Sequence, residues 1–380
     1  MINSRYEFID SMRGIAILGV ILTHVGAKTL EGSQGVASIL HKFTSLGDMG
    51  VPLFYFVSAL TIMLMFTKRR GEEVAPVGSF FIRRFLRIAP VYWAGIIMYT
   101  SIYGLTESRG WLDGPELWHY PVHIFFLNMT NPYTPSSVVP GGWSISNEMI
   151  FYALFPMLYF LANTPKKALI LLASSVLISP LFEVLARWIA NEIFPSASRY
   201  QVDLFAYRWL PNQISAFAAG FVFYHIFKST KRHPSWLASR TCAAATLLFA
   251  PALIILTRNE VFQDNHIWAV WFIAFAFIIS INCPKIVVNK ALSWVGKISF
   301  SCYIFHFMVI NYMLALIPPS GSLASFCMVL AGTLAGTFCL SWLSYNFYEK
   351  KFMTLTTKVV EAYQTRMIRR ARVGGIAGSN

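Results

Sequence analysis

The chain has 380 residues, of which 56% are hydrophobic and only 13% charged, and its mean hydropathy is +0.54. A water-soluble domain of this size cannot cover that much apolar surface, which excludes a soluble globular fold. The formal charge of +14 does not point to nucleic acid, because the basic residues gather in short segments between apolar runs, a pattern of membrane orientation.

The apolar runs predict an all-α, polytopic transmembrane helical bundle of about ten spans. They fall near residues 12–30, 47–67, 88–105, 143–162, 168–190, 213–227, 241–257, 267–283, 299–317 and 322–346. With both termini in the cytoplasm, most of the 31 lysines and arginines lie on the inner side, as the positive-inside rule requires. The reading is one membrane domain over 1–347 and a basic cytoplasmic tail over 348–380. Glu7 and Asp10 spoil the basic flank of a signal peptide, so the first run is expected to stay as a span. The longest outer segment, 106–142, is rich in Pro, Asn, Thr and aromatics and suits a surface that meets a polar ligand. The five cysteines lie in or beside apolar runs and read as small buried hydrophobes, not disulfides.

The first span carries Arg13 and His24, eleven steps apart. At about 100° per residue those steps end about 20° beyond three full turns, so both side chains share one helix face, about 16 Å apart along the axis. An arginine at the membrane surface then puts the histidine deep in lipid, where an ionisable group is costly and points to function. Asp10, one turn before Arg13, is placed to pair with it. A neutral imidazole at position 24 is suited to take a proton from an attacking hydroxyl.

The third span opens on Phe80-Phe-Ile-Arg-Arg-Phe-Leu-Arg-Ile-Ala-Pro90. Arg84 and Arg87 share a face and can grip a phosphorylated cofactor with two guanidinium forks, whereas Arg83 projects off that face and reads as a topology or lipid contact. Gly142-Trp-Ser-Ile-Ser-Asn-Glu148 begins the fourth span, with Trp143 as an interfacial anchor. Glu148 sits too deep for an ordinary solvated carboxylate and is assigned to orient His24, to stabilise its imidazolium or to hold a sugar hydroxyl. Ser299, Tyr303 and His306 line one face of the ninth span. Gly332 and Gly336 read as close helix packing. His119 and His123 lack a companion cluster of Cys or carboxylate, so no metal site is expected.

Taken together these residues resemble the acyltransferase-3 family of integral membrane acyltransferases. The resemblance rests on Phe8-Ile-Asp-Ser-Met-Arg-Gly-Ile-Ala16, the Arg13 and His24 pair, Gly50-Val-Pro-Leu-Phe-Tyr-Phe-Val-Ser58, Arg84 and Arg87 ahead of a proline and Tyr-Trp, the element with Trp143, Ser144, Glu148, Phe151 and Tyr152, the Tyr303 to His306 stretch, and Tyr348-Glu-Lys350. Ser58-Ala-Leu stands where the family has Ser-Gly-Phe, Met149 where a second acidic residue is frequent, and Lys351 where a proline closes the motif.

The resemblance implies transfer of an acyl group, often acetyl from acetyl-CoA, to a hydroxyl of an extracytoplasmic glycan such as lipopolysaccharide O-antigen or exopolysaccharide. It implies a stand-alone member without a fused esterase-like domain, in the bacterial cytoplasmic (inner) membrane. His24, Arg13 and Glu148 are then the expected catalytic residues, Arg84 and Arg87 the acyl-CoA contacts, and Asp10, Ser144, Tyr303, His306 and Glu349 supporting groups. The expected partners are the lipid bilayer, acyl-CoA and a glycan or lipid-linked glycan acceptor, with neither metal nor nucleic acid. A secondary transporter or flippase with buried charges as coupling sites is the alternative, although no repeated halves are visible.

Overall fold

In the computed structural model, residues 6–109, 114–229, 264–282 and 284–377 are described, and fourteen α-helices run through them. They are α1 Glu7–Thr29, α2 Val36–Thr44, α3 Gly50–Arg70, α4 Pro76–Tyr103, α5 His119–Ile124, α6 Gly142–Leu161 and α7 Pro165–Ile193. There follow α8 Arg199–Arg208, α9 Leu210–Ser229, α10 Asp264–Asn282, α11 Lys290–Lys297, α12 Ser299–Leu316, α13 Leu323–Ser344 and α14 Lys350–Ala377. Short 3₁₀ and π segments, Ser45–Met49 and Tyr345–Glu349, join α2 to α3 and α13 to α14. Start signals are local. Pro76 and Pro165 sit in the first turns of α4 and α7, Ser198 and Gln201 form a capping box on α8, and Asn289 and Ser322 cap α11 and α13.

Among the described residues, seven helical stretches are long and apolar enough to cross a membrane, Val36–Arg70 and Leu323–Ala371 included. The expected spans at 213–227 and 267–283 coincide with α9 and α10, and the one at 241–257 lies outside the described residues. Several helices overrun their expected spans: α1 begins at Glu7 and α4 at Pro76, well before the apolar run. Hydropathy marks only the part of a helix that suits lipid, whereas backbone hydrogen bonds carry the helix on into polar residues. As a result Asp10, Arg13, Arg83, Arg84 and Arg87 are all helical. Leu177, Leu181 and Val184 of α7 are bare on the outside of the bundle, as lipid contact requires. Cys302 is buried as expected, but Cys327 and Cys339 are exposed on α13, the lipid accepting an apolar thiol as readily as the core does. Cys242 and Cys283 lie outside the described residues.

Helix α1 is the central element, packed against α3, α11, α12, α13 and the 3₁₀ turn. Its crossing with α11 is backbone against backbone. A Cβ on Gly14 would fall on the Leu292 carbonyl, and one on Gly296 on the Asp10 carbonyl. Gly14→Val is expected to destabilise the protein by about 1–3 kcal/mol through overpacking, read as a lower unfolding temperature in detergent. Gly332 and Gly336 face Met313 and Val309 of α12, the close packing expected of them. Phe66, Phe151, Phe155, Phe217 and Phe221 pack into an aromatic layer between α3, α6 and α9.

In the described part of the segment 106–142, several polar side chains turn inward. Arg109 is fully buried, giving Nη1 to the Gly104 carbonyl (2.8 Å) and Nη2 to the Tyr120 hydroxyl (3.0 Å). His123 accepts from the Tyr92 hydroxyl at Nδ1 (2.8 Å) and donates from Nε2 to the Thr134 carbonyl (2.8 Å). Asn128 donates to the Pro135 carbonyl at 2.9 Å. These side chains serve the segment's own backbone, which has no ladder to join. Burial holds the His123 ring down at about 3. An unfolded chain takes up that proton near 6.5, so acidification from pH 6.5 toward 3 favours unfolding. The unfolding temperature is expected to fall steadily across that window, and to fall less in His123→Gln.

Candidate active site

Four adjoining cavities follow one another through the bundle. The first, a vestibule of about 800 Å³, has Asp10, Arg69, Arg83, Lys297 and one side of α14 in its wall. It shares Arg13, Arg84 and Arg87 with a throat of about 100 Å³ that also touches Ser58, Ser144, Glu148, Tyr152, Ser299 and Tyr303. Tyr303 and Val51 belong to both the throat and an outer cavity of about 580 Å³, which contains His24, Lys28, Asp48, Trp143 and Arg208. Beyond it, Ser136, Tyr200, Leu204 and Arg208 are shared with a fourth cavity of about 470 Å³ under the 106–142 segment.

One face of α1 spans this series as the eleven-residue spacing requires: Arg13 at the vestibule and throat, His24 in the outer cavity. Arg13 Nη1 lies 3.4 Å from Asp10 Oδ1, and Nη2 3.4 Å from Thr61 Oγ1. Arg84 projects over the Tyr152 ring, 5.5 Å from its centre. Arg87 Nη1 is 4.0 Å from Glu349 Oε2. Glu349 is almost wholly buried and takes a hydrogen bond from Ser301, and the π segment just before α14 aims it at Arg87. Arg83 does not project away from the group. It lines the same vestibule, ion-paired with Glu73.

Glu148 departs from its expected place. It accepts hydrogen bonds from Ser58 (2.7 Å) and from Tyr152 in the throat, one helical turn on, and none joins it to His24 among the described residues. The ring against His24 is His306, with centroids 5.5 Å apart and planes 27° from parallel, and Phe307 packs on His24 at 4.4 Å. His306 donates Nδ1–H to the Tyr303 carbonyl at 2.8 Å, which leaves Nε2 as a bare acceptor with no partner among the described residues. No hydrogen bond among the described residues occupies the His24 ring, which opens on the outer cavity.

The boundary between throat and outer cavity is built on Gly141. Its φ of +78° opens α6, and a Cβ there would lie 3.0 Å from the Tyr303 hydroxyl. Ser144 Oγ donates to Tyr303 Oη (2.8 Å), which donates to the Gly141 carbonyl (3.1 Å). Trp143 is buried, with the Arg208 guanidinium 5.1 Å from its ring centre, so it is a wall of the outer cavity and no interfacial anchor. Desolvation lowers the Arg208 pKa.

Ser58, Tyr152, Asp48, Arg208 and Phe307 were not singled out by sequence reasoning. Ser58 and Tyr152 lay inside quoted motifs, so their place in the site had a signal; Arg208, on a short helix outside any motif, had none. Chemically, the series sets a cluster of guanidiniums at the vestibule and, in the outer cavity, an imidazole with no hydrogen bond among the described residues, with a throat of about 100 Å³ between them; such a cluster is suited to an anionic group.

Residues 6–345 match the acyltransferase-3 family model, described as an acyltransferase domain. The chain is similar to acyltransferase MdmB of Streptomyces mycarofaciens, at 26% identity over 330 residues that cover 81% of this chain and 80% of that protein. It is similar to the peptidoglycan O-acetyltransferase OatA of Listeria monocytogenes, at 23% over 90% of this chain but 54% of that protein. A shorter likeness, 34% over 119 residues (30% of this chain and 35% of that protein), joins it to the exopolysaccharide production protein ExoZ of Rhizobium meliloti. No solved structure matches. The match across nearly all the chain shows that this protein belongs to the acyltransferase-3 family.

Proposed function

We propose that this protein is an O-acyltransferase of the bacterial inner membrane, passing an acetyl group from cytoplasmic acetyl-CoA to a hydroxyl of an extracytoplasmic glycan, of the O-antigen or exopolysaccharide kind. The observation that carries the reading is the line of cavities, with Arg13, Arg84 and Arg87 at the vestibule, His24 in the outer cavity and shared wall residues between them. Arg84 and Arg87 bind the donor phosphates from the vestibule, and Arg13 adds charge at the entrance to the throat. The acyl-pantetheine arm, a single flexible chain, occupies the throat and brings its thioester toward His24. The acceptor enters the outer cavity, where Arg208, Tyr200 and Tyr207 offer polar contacts.

His24 takes the proton of the acceptor hydroxyl as its oxygen attacks the thioester carbonyl carbon. The C–O bond forms, the C–S bond breaks, and the proton passes from the imidazole to the departing CoA thiolate. His306 and Phe307 fix the imidazole by packing, and Ser144 and Tyr303 hold the boundary between the two cavities. The test is mass spectrometry of surface glycans from cells with and without the gene. A gain of one acetyl mass per modified repeat is expected, and identical glycans in a strain shown to make the protein would overturn the proposal.

A further inference from the structure

Helix α14 lies wholly beyond the 6–345 match, yet it is built into the vestibule. Gln364 accepts from the Val74 and Ala75 amides (3.1 and 3.4 Å) just ahead of α4 and gives its own amide hydrogens to Ser79 and the Ala75 carbonyl. Val360 is buried, and the Tyr363 ring occupies the space that a side chain on Gly78 would need. Four contacts by one glutamine and a ring seated on a glycine fix the helix on α4.

The face it turns inward differs from the opposite wall. Arg69, Arg84 and Arg87 of α3 and α4, with Lys297, make one wall cationic, and Arg69, Arg84 and Lys297 form no ion pair among the described residues. The α14 wall presents Met353, Thr356, Thr357, Val360 and Ile368, neutral and part apolar, with Glu361 as a hydrogen-bond acceptor. A phosphate alone needs only the first wall. A ligand with phosphates on one edge and a flat, weakly polar ring with amine donors on the other fits both, and about 800 Å³ holds it where the throat of about 100 Å³ does not.

We propose that α14 is the second wall of a nucleotide subsite, which takes the adenosine 3′,5′-bisphosphate end of the donor. This rests on the acyl-CoA reading above and deepens it: the protein selects an acyl-CoA over an acyl group carried on the phosphopantetheine of a carrier protein, which has no adenine to fill the α14 side.

The test uses the full chain purified in detergent and reads binding without turnover, by thermal stabilisation and by equilibrium binding of labelled ligand. Adenosine 3′,5′-bisphosphate alone is expected to bind and stabilise, and 4′-phosphopantetheine to bind at least tenfold more weakly. Thr357 is exposed in the vestibule wall, so a charge there leaves packing intact. Thr357→Glu is expected to weaken the bisphosphate at least tenfold, and Thr357→Ser to retain it. Equal binding by the two fragments, no binding of the bisphosphate, or a Thr357→Glu affinity equal to wild type would overturn the proposal. The glycan experiment is separate. Bisphosphate binding without glycan acylation would sink the acyl-transfer reading and leave the nucleotide subsite standing; acylation without bisphosphate binding would do the reverse.

Discussion

His24→Ala is expected to lose at least about a hundredfold in acyl transfer while the protein still inserts and folds, since a positioned general base contributes roughly 10²–10⁴ in rate. The ring opens on the outer cavity and its loss breaks no hydrogen bond among the described residues, so the stability change should be limited to its packing against His306 and Phe307. The check is acetate incorporation into surface glycan, with the amount of folded protein measured by size-exclusion of a tagged chain. Near-normal acylation by well-folded His24→Ala would remove the base role from this residue. His306→Ala separates support from chemistry. If His306 only positions His24, the variant keeps the shape of the wild-type pH profile at lower kcat; if it is itself the base, it falls as far as His24→Ala.

Arg84→Ala and Arg87→Ala should both raise KM for the acyl donor by about tenfold or more with little change in kcat, because a charge-assisted hydrogen bond contributes about 1.5–3 kcal/mol and 1.4 kcal/mol is a factor of ten. Their stability effects should differ. Arg84 lies over an aromatic ring and makes no ion pair among the described residues, so its removal should be mild. Arg87 faces Glu349, whose side chain is only 3% exposed. Removing the cation leaves the buried carboxylate without its counter-ion, which is expected to lower the unfolding temperature. Adding Glu349→Gln to Arg87→Ala is therefore expected to restore the unfolding temperature without restoring donor KM. Recovery of both together would mean that Arg87 acts on the donor only through folding. Lysine at 84 or 87 should recover part of the binding, since it keeps the charge but loses the fork.

Much of the site was legible because helical geometry converts spacing into position. Arg13 and His24 share a face for any α-helix, and Arg84 and Arg87 share one for the same reason, so their relative placement on α1 and on α4 needed no tertiary information, whereas the cavities they line did. Asp10 beside Arg13 followed likewise. Glu148 shows where that reasoning stops. Its depth along α6 could be read, but its partners could not: they are Tyr152, one turn on in the same helix, and Ser58 across the interface with α3, in place of His24. Trp143 failed in the same way, since interfacial depth does not say whether a ring faces lipid or another helix. For the 106–142 segment, polar composition did not say which groups are spent on its own backbone, as those of Arg109, His123 and Asn128 are, and which line a cavity, as Ser108, Glu116 and Ser136 do.

The sequence alone determined that this is a helical membrane bundle of acyltransferase-3 type, because hydropathy, helical period and ordered motifs are properties of the chain read one residue at a time. Only the tertiary structure decided that His306 faces His24, that Glu349 reaches Arg87, and that the last helix folds back on α4 to complete the vestibule. These are contacts between residues far apart in sequence, and they depend on crossing angles and close backbone approaches, such as Gly14 on α11, that no local pattern encodes.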